Sequence, residues 1–480
     1  MSPAAAVHIH GHKLDELLGE WHGGRPSSQL LAESVRQLVL DGRLPPGTRL
    51  PAERELAGTL GVSRTLVART LDRLREAGFA ASRRGAGSWV KLPDSQRRAG
   101  VSGGWFPTSD PEVLNLAQAT PAAPPELSAA ADRARLRLTE HLGDHGYQPH
   151  GLPVLRARIA ERFTARGLPT GPEQILVTNG AQHAFALVLR MLVAPGERVL
   201  MEHPTYPNAI EAVRGLGATP VAVPMVDDGW DLDLLAANLR QTAPRLAYLI
   251  PDFHNPTGVL LDGDGRAKLA TALARTCTNA VIDETMVDLG LTDDPPPPPM
   301  AALTERAITI GSASKSFWGG LRVGWIRAGA EFVQRAVLSR AAVDLGTPVF
   351  EQLLLTELLD DADAVLRRRR DELLERREVL IEALREHLPE WRFRVPDGGL
   401  ALWCDIGSQV SSRSSVVAEQ SGVRLAPGAR FSVNGSLERW IRIPYTLPGD
   451  RLREAIRRLA GAVEGARPGQ APSALTGPVA

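Results

Sequence analysis

Between residues 112 and 467 the chain repeatedly writes short apolar or β-branched runs, among them "QILVT", "RVLME", "TPVAV", "LAYLI", "NAVID", "AITIG" and "RVGWI". Most are separated by stretches of helical periodicity, such as residues 182–192 and 232–239. Strands joined through helices run parallel, because a tight hairpin cannot span a helix, and a parallel sheet needs helices over both faces. This alternation limits the region to an α/β fold with a mostly parallel central sheet. After Gly329 the pattern turns helical, "VLRRRRDELLERREVLIEALREHL" being the longest such stretch. A large part over 112–328 and a smaller C-terminal α/β part over 329–467 are expected. The arginine run of the long helix is expected to form a solvated face, and the run from Pro295 to Pro299 an exposed loop.

Residues 25–91 are built differently. "SQLLAESVRQLVLDG" places Leu31, Val35, Leu38 and Val39 on one helical stripe. "PAERELAGTLG" reads as a second helix, and "VSRTLVARTLDRLREAGF" as a third with Ser63 as its N-cap and Leu66, Leu71 and Leu74 turned to the core. Two helices joined by a short Gly-containing turn form a helix-turn-helix, whose second helix enters the major groove. Arg64, Thr65 and Arg69 then face DNA, and "ASRRGAGSWV" forms a hairpin with Arg83 and Arg84 at its tip, suited to phosphate or minor-groove contact. Charge agrees: the chain is formally neutral, yet from residue 25 to 98 there are 14 basic against 7 acidic residues. The Gly-, Ser- and Pro-rich residues 92–111 read as a linker, and 468–480 as a disordered tail.

The two cysteines, Cys277 and Cys404, fit no disulfide framework or metal spacing, and no metal is expected. No apolar run approaches the ~20 residues of a membrane span, and no signal segment precedes the first helix, so a cytoplasmic protein without a membrane partner is expected. His8, His10, His12 and His22 are read as part of a flexible leader.

All but four of the 55 basic residues are arginine. Against that usage Lys315, in "GSASKSFWGG", stands out. Arginine stays protonated, whereas a desolvated lysine loses its proton and can attack a carbonyl. Asp283 ends the buried-looking strand "NAVID", where a carboxylate needs a cationic partner. Asn255 follows the strand "LAYLI" in "HNPTG", and Tyr206 lies in "HPTYP". Gly180 and Ala181 stand between a strand and a helix start, where free N–H groups meet an anion; Ser312, Ser314 and Arg322 add hydroxyl and guanidinium donors. An aldehyde-reactive lysine, a carboxylate for a pyridine nitrogen, a donor to a phenolic oxygen and a phosphate cradle are together what pyridoxal 5'-phosphate requires.

The order of these motifs carries two resemblances. "GRLPPGTRLPAERELAGTLGVSRTLVARTLDRLREAGFAASRRGAGSWV" resembles the GntR family of winged helix-turn-helix regulators. The likeness implies that Arg49, Glu53, Arg54, Ser63, Arg64, Thr65 and the wing Gly87 approach DNA, with Arg64 on a base edge and Arg49 and Arg54 on phosphate. "YQPHGLPVLRARIA", "VTNGAQHAF", "HPTYP", "HNPTG", "VIDE", "SASKSFWGGLRVGW" and "RWIRIPYT" resemble the fold-type I aminotransferases in that family's order. This second likeness implies Lys315 as the Schiff-base residue, Asp283 under the ring nitrogen, Asn255 on the phenolic oxygen and Tyr206 over the ring. It places Gly180, Ala181, Ser312, Ser314 and Arg322 around the phosphate. It further implies Arg442 as the clamp for an α-carboxylate, and Tyr147 reaching the cofactor phosphate of a partner subunit, hence a homodimer. One departure is plain: many members carry a tyrosine two or three positions after the aspartate, where this chain has Thr285 and Met286. Together the halves resemble the MocR subgroup of regulators, which implies an operator duplex and an amino compound as partners. A transcriptional regulator sensing through a lysine-bound cofactor, and an aminotransferase carrying a fused DNA-binding domain, both remain open at this point.

Overall fold

The computed structural model describes residues 8–19, 21–22, 26–40, 43–83, 87–91, 112–226 and 229–465. The expected linker, the expected tail and Arg84 lie outside the described residues.

In the N-terminal domain α1 (Gly11–Leu18), α2 (Ser28–Leu40), α3 (Glu53–Thr59) and α4 (Arg64–Glu76) precede a hairpin of β1 (Ala80–Arg83) and β2 (Gly87–Val90). The predicted stripe of α2 is its core face: Leu31, Val35, Leu38 and Val39 are buried. Ser63 caps α4 by accepting from the Leu66 backbone N–H at 3.2 Å. One expectation needs correction. Where it is described, the segment of His8, His10, His12 and His22 is not a flexible leader, because Leu14, Leu17, Leu18 and Trp21 are apolar at helical spacing and bury in the same core as α2 and α4. On α4 the expected Leu71 and Leu74 are buried and Leu66 packs, partly buried, against the same core, with Val67 and Thr70 buried beside them.

The body holds an eight-stranded sheet, ordered β4-β11-β10-β9-β8-β5-β6-β7. Its strands are β4 (Ile175–Thr178), β5 (Arg198–His203), β6 (Thr219–Val226), β7 (Gly229–Trp230), β8 (Leu246–Leu249), β9 (Asn279–Asp283), β10 (Ala307–Ser312) and β11 (Gly324–Arg327). All neighbours are parallel except those involving β11 and the edge strand β7. Strands β4, β8 and β10 are buried at every residue, which is why their sequences are continuous apolar runs. A second, antiparallel sheet orders β12 (Arg392–Phe393), β13 (Ala401–Asp405), β16 (Trp440–Pro444) and β15 (Ala426–Pro427). The short β3 (Leu114–Asn115) pairs in parallel with β14 (Val423–Arg424) beside this smaller part.

Helix Ala362–His387 runs through both parts of the body: Val365 and Leu366 pack with Val177 and Val323 of the large part, and Leu373, Leu380 and Leu384 pack with Leu402 and Ile441 of the small one. Helix Ala330–Arg340 packs Val333 and Ala336 on the core of the large sheet. The arginine run is not wholly a solvated face, since Arg369 is 3% exposed and donates to two backbone carbonyls. The proline run is exposed at Pro295, Pro296 and Pro298, while Pro299 is buried and the Pro298 carbonyl accepts from Arg266 at 3.1 Å. No helix among the described residues is long and apolar enough to cross a membrane.

Candidate active site and nucleic-acid interface

Parallel strands deliver their C-terminal ends to one edge of a sheet, and ligands bind there. Asp283 is the last residue of β9, Gly180 follows β4 by two residues, and Ser312 ends β10. From Ser312 the chain turns into the short helix Ala313–Ser316, which carries Lys315; the Ser312 hydroxyl caps it by accepting from Ser314 N–H at 3.2 Å.

Lys315 Nζ donates to the Ala119 carbonyl at 2.7 Å. Burial, seconded by the nearby guanidiniums of Arg442 and Arg322 and opposed by Asp283, brings its pKa down to about 8. A neutral, nucleophilic amine is therefore available near physiological pH, which answers why lysine stands here in an arginine-writing chain.

Asp283 is buried, with Tyr248 Oη donating to Oδ2 at 2.6 Å and Thr285 N–H donating to Oδ1 at 2.9 Å. Burial raises its pKa, against the hydrogen bonds from Thr285 and Tyr248. Among the described residues no cation pairs with it. A pyridinium nitrogen would fill that role. Sequence reasoning missed Tyr248, although a tyrosine inside the apolar run "LAYLI" signals a buried hydroxyl in need of an acceptor.

The residues expected to form a phosphate cradle approach one another closely. Gly180 has φ 88°, which strains any L side chain, and a Cβ there would sit 2.8 Å from Arg322 Nη2, so glycine lets the guanidinium stay where it is. Arg322, itself left-handed at φ 54°, donates Nη2 to the Asn179 carbonyl at 3.2 Å, beside the N-terminus of helix Ala181–Leu192. Ser314 Oγ lies 3.0 Å from Ser312 Oγ. Tyr206 Oη accepts from Asn208 Nδ2 at 2.8 Å, and burial raises its pKa.

Arg442, on β16, is 2% exposed. Nη1 donates to Asn255 Oδ1 at 3.3 Å, Nη2 to the Ala117 carbonyl, and the guanidinium stacks 5.0 Å from the Phe431 ring centroid. Burial lowers its pKa to about 10, which leaves it charged at neutral pH. Met286, standing where a tyrosine is usual, lines a small cavity with Ala119, Phe253 and Asn255. It offers no hydroxyl there.

Tyr147 stands apart: it is 57% exposed, with its ring against His145. Within one chain the structure does not bring it to Lys315.

The nucleic-acid side has the opposite character. Arg49, Arg54, Arg64, Thr65 and Arg69 are exposed, Glu53 half-buried, and Ser63 is exposed with its hydroxyl used as the cap. The side chains of Arg49, Arg54, Arg64 and Arg69 have no hydrogen bond or ion pair among the described residues. Arg49 lies against the hairpin: a Cβ on Gly87, whose φ is 90°, would come 3.2 Å from Arg49 Nε. Arg83 occupies β1 opposite Gly87. Fork-shaped cations with no internal partner, on the first turn of α4 and beside a wing, suit a polyanion.

A junction that sequence reasoning missed joins the two halves. Arg43 donates Nη1 to Ser412 Oγ at 3.0 Å and to Glu438 Oε1 at 3.2 Å, and Nη2 to the Gly435 carbonyl at 3.0 Å. Its side chain and that of Glu438 are 9% and 5% exposed. No spacing in the sequence links residues so far apart.

Residues 111–459 match the family described as "Aminotransferase class I and II", and residues 28–90 match "Bacterial regulatory proteins, gntR family". The "Probable rhizopine catabolism regulatory protein MocR" of Rhizobium meliloti is 32% identical over 76% of this chain and 78% of its own length. The chain belongs to the aminotransferase class I and II family, in the gntR-fused form of the MocR-type regulators. The "Uncharacterized HTH-type transcriptional regulator YdcR" of Escherichia coli (strain K12) is 27% identical over 91% of this chain and 98% of its own. Among solved structures, LysN, the α-aminoadipate aminotransferase of Thermus thermophilus, complexed with N-(5'-phosphopyridoxyl)-L-leucine, superposes with a TM-score of 0.69 at 32% identity, covering 74% of this chain and 93% of that one. Both halves expected from the sequence, the winged helix-turn-helix and the fold-type I α/β body, are present in these matches.

Proposed function

We propose that this MocR-type protein is a transcriptional regulator which binds an operator duplex through residues 25–91 and senses an amino compound through pyridoxal 5'-phosphate held by residues 112–467. The observation that carries the reading is the coexistence of unpartnered exposed arginines on the reader with a desolvated, partly neutral Lys315 in the body. When bound, the cofactor supplies an aldehyde for amines and an electron-withdrawing ring.

The residues divide the work. Lys315 offers the amine, Asp283 holds positive charge at the ring nitrogen, and Asn255 donates to the phenolic oxygen. Tyr206 covers the ring, while Gly180, Ala181, Ser312, Ser314 and Arg322 take the phosphate. Arg442 presents two parallel N–H donors to the effector's carboxylate, a geometry lysine lacks. Tyr147 serves a neighbouring copy, so the working form is a homodimer, in the cytoplasm with its DNA. On the reader, Arg64, Thr65 and Arg69 face bases, and Arg49, Arg54, Arg83, Arg84, Glu53, Ser63 and Gly87 fix the backbone and wing.

The second reading, a transaminase with a fused reader, is favoured by the intact Lys315, Asn255 and Arg442 set. Met286 counts against efficient turnover, because a thioether cannot donate to the phenolic oxygen. The deciding experiment gives the purified protein amino acids and keto acids and follows product. Many turnovers per site would replace the regulator reading; spectral change with at most one turnover, together with altered hold on DNA, supports it.

A further inference from the structure

Three cations in and behind the site all donate to one stretch of backbone. Arg442 Nη2 donates to the carbonyl of Ala117, Lys315 Nζ to that of Ala119 at 2.7 Å, and Arg369 Nη2 to that of Ala122 at 2.7 Å. Ala117 and Ala119 are 2% and 6% exposed, and the segment lies a few residues after the linker that leads from the reader. Its near end is tied to the small part, through β3 on β14 and the Leu116 N–H on the Arg424 carbonyl at 2.8 Å.

These donors differ in what else they must do. Lys315 and Arg442 are the two groups the ligands claim. An ammonium has three N–H bonds, but a lysine nitrogen committed to the cofactor's aldehyde carbon has at most one. A guanidinium offered a carboxylate exchanges a neutral carbonyl for a charge-assisted pair, which is roughly twice as strong. Arg369 has no such competitor. Its Nη2 also donates to the Phe317 carbonyl at 2.9 Å, at the C-cap of the helix that carries Lys315, and its Nη1 meets Glu372 at 3.2 Å. It therefore ties the segment and the lysine's helix to the long helix that spans both parts of the body.

We propose that Arg369 is a positioning residue, the permanent anchor of a strap formed by residues 117–122, and that ligands claiming Lys315 and Arg442 remove the donors that hold the Ala117 and Ala119 carbonyls, loosen the strap between its fixed ends and so report occupancy toward the reader. The inference rests on the regulator reading for its last step only.

The test uses the full-length protein with two probes. Pyridoxal phosphate engages Lys315, and N-(5'-phosphopyridoxyl)-L-leucine brings a carboxylate for Arg442. Hydrogen exchange of residues 117–122 and affinity for a duplex selected by the protein from a random pool are measured with each. Each probe should speed strap exchange about fivefold, the effect of one lost hydrogen bond of ordinary strength, and should change duplex affinity. In Arg369→Gln the strap should exchange faster than in the parent already without probe, and the probe's effect on duplex affinity should vanish. Arg369→Lys, which keeps the charge and the donors on a shorter side chain without the second nitrogen that meets Glu372, should show an intermediate response and guards against simple misfolding. Strap exchange that ignores both probes while duplex affinity responds would overturn the strap and leave the regulator reading standing. A strap that responds while duplex affinity does not would overturn the regulator reading and, with it, the reporting step. Probe effects undiminished in both Arg369 variants would overturn the anchor.

Discussion

Arginine does two jobs in this molecule, and the two halves show them side by side. In the body Arg266, Arg340 and Arg442 are among the largest fully buried side chains, each engaged with carbonyls or carboxylates. In the reader Arg49, Arg54, Arg64 and Arg69 stand in solvent without internal partners among the described residues. The same guanidinium is structural where its donors are consumed and open to an outside anion where they are left over. Arg442 belongs to both kinds: it is buried like a structural residue, yet one of its acceptors, the Ala117 carbonyl, is a neutral group that a carboxylate can displace.

The contrast can be broken at several points. The largest effect is expected from Lys315→Ala, which should abolish covalent cofactor capture, read as loss of borohydride-fixed label at that residue, while binding to the selected duplex by the empty protein stays intact. Label retained at another residue would remove the assignment. Next, Arg442→Ala should weaken N-(5'-phosphopyridoxyl)-L-leucine by roughly 100-fold in calorimetry, as a lost hydrogen bond to a charged group in a buried site implies, and Arg442→Lys should recover little. Equal affinity in all three proteins would show that another group holds the carboxylate.

On the reader, Arg64→Ala should cost about tenfold or more on the selected duplex and relax preference at one position; Arg49→Ala should weaken all duplexes alike and reduce the salt slope by about one. Identical behaviour of the two variants would erase the division between base and phosphate contacts. The smallest effect is in pH. Lys315 must be neutral to attack, and its pKa of about 8 means that capture should speed up by about tenfold per unit below that value and level off above it. A rate that keeps climbing to pH ~10, near the ordinary lysine value, would mean that the amine is not desolvated as the structure has it.

Much of the body was legible because parallel strands buried on both faces leave continuous apolar runs, and β4, β5, β8, β9 and β10 fall on those runs. The site was legible for a related reason: a sheet edge gathers residues that follow successive strands, so Gly180, Asn255, Asp283 and Lys315 could be placed together from order alone. What escaped notice was whatever depends on tertiary approach. Tyr248 looks like one more apolar strand residue until Asp283 is seen opposite it. Arg369 hides in a run of four arginines, and only helix phase against the neighbouring parts decides that it turns inward while Arg367 and Arg368 stay exposed. The leader was misread because its histidines draw attention from Leu14, Leu17 and Leu18, whose spacing is the stronger signal.

The Arg43–Glu438 junction has a consequence for how sharply the protein can respond. Because both halves belong to one chain, that contact forms without the entropy cost of bringing two separate molecules together. Removal of either charge would leave the other buried and unpaired, so a single substitution is enough to turn a seam that holds the halves together into one that parts them.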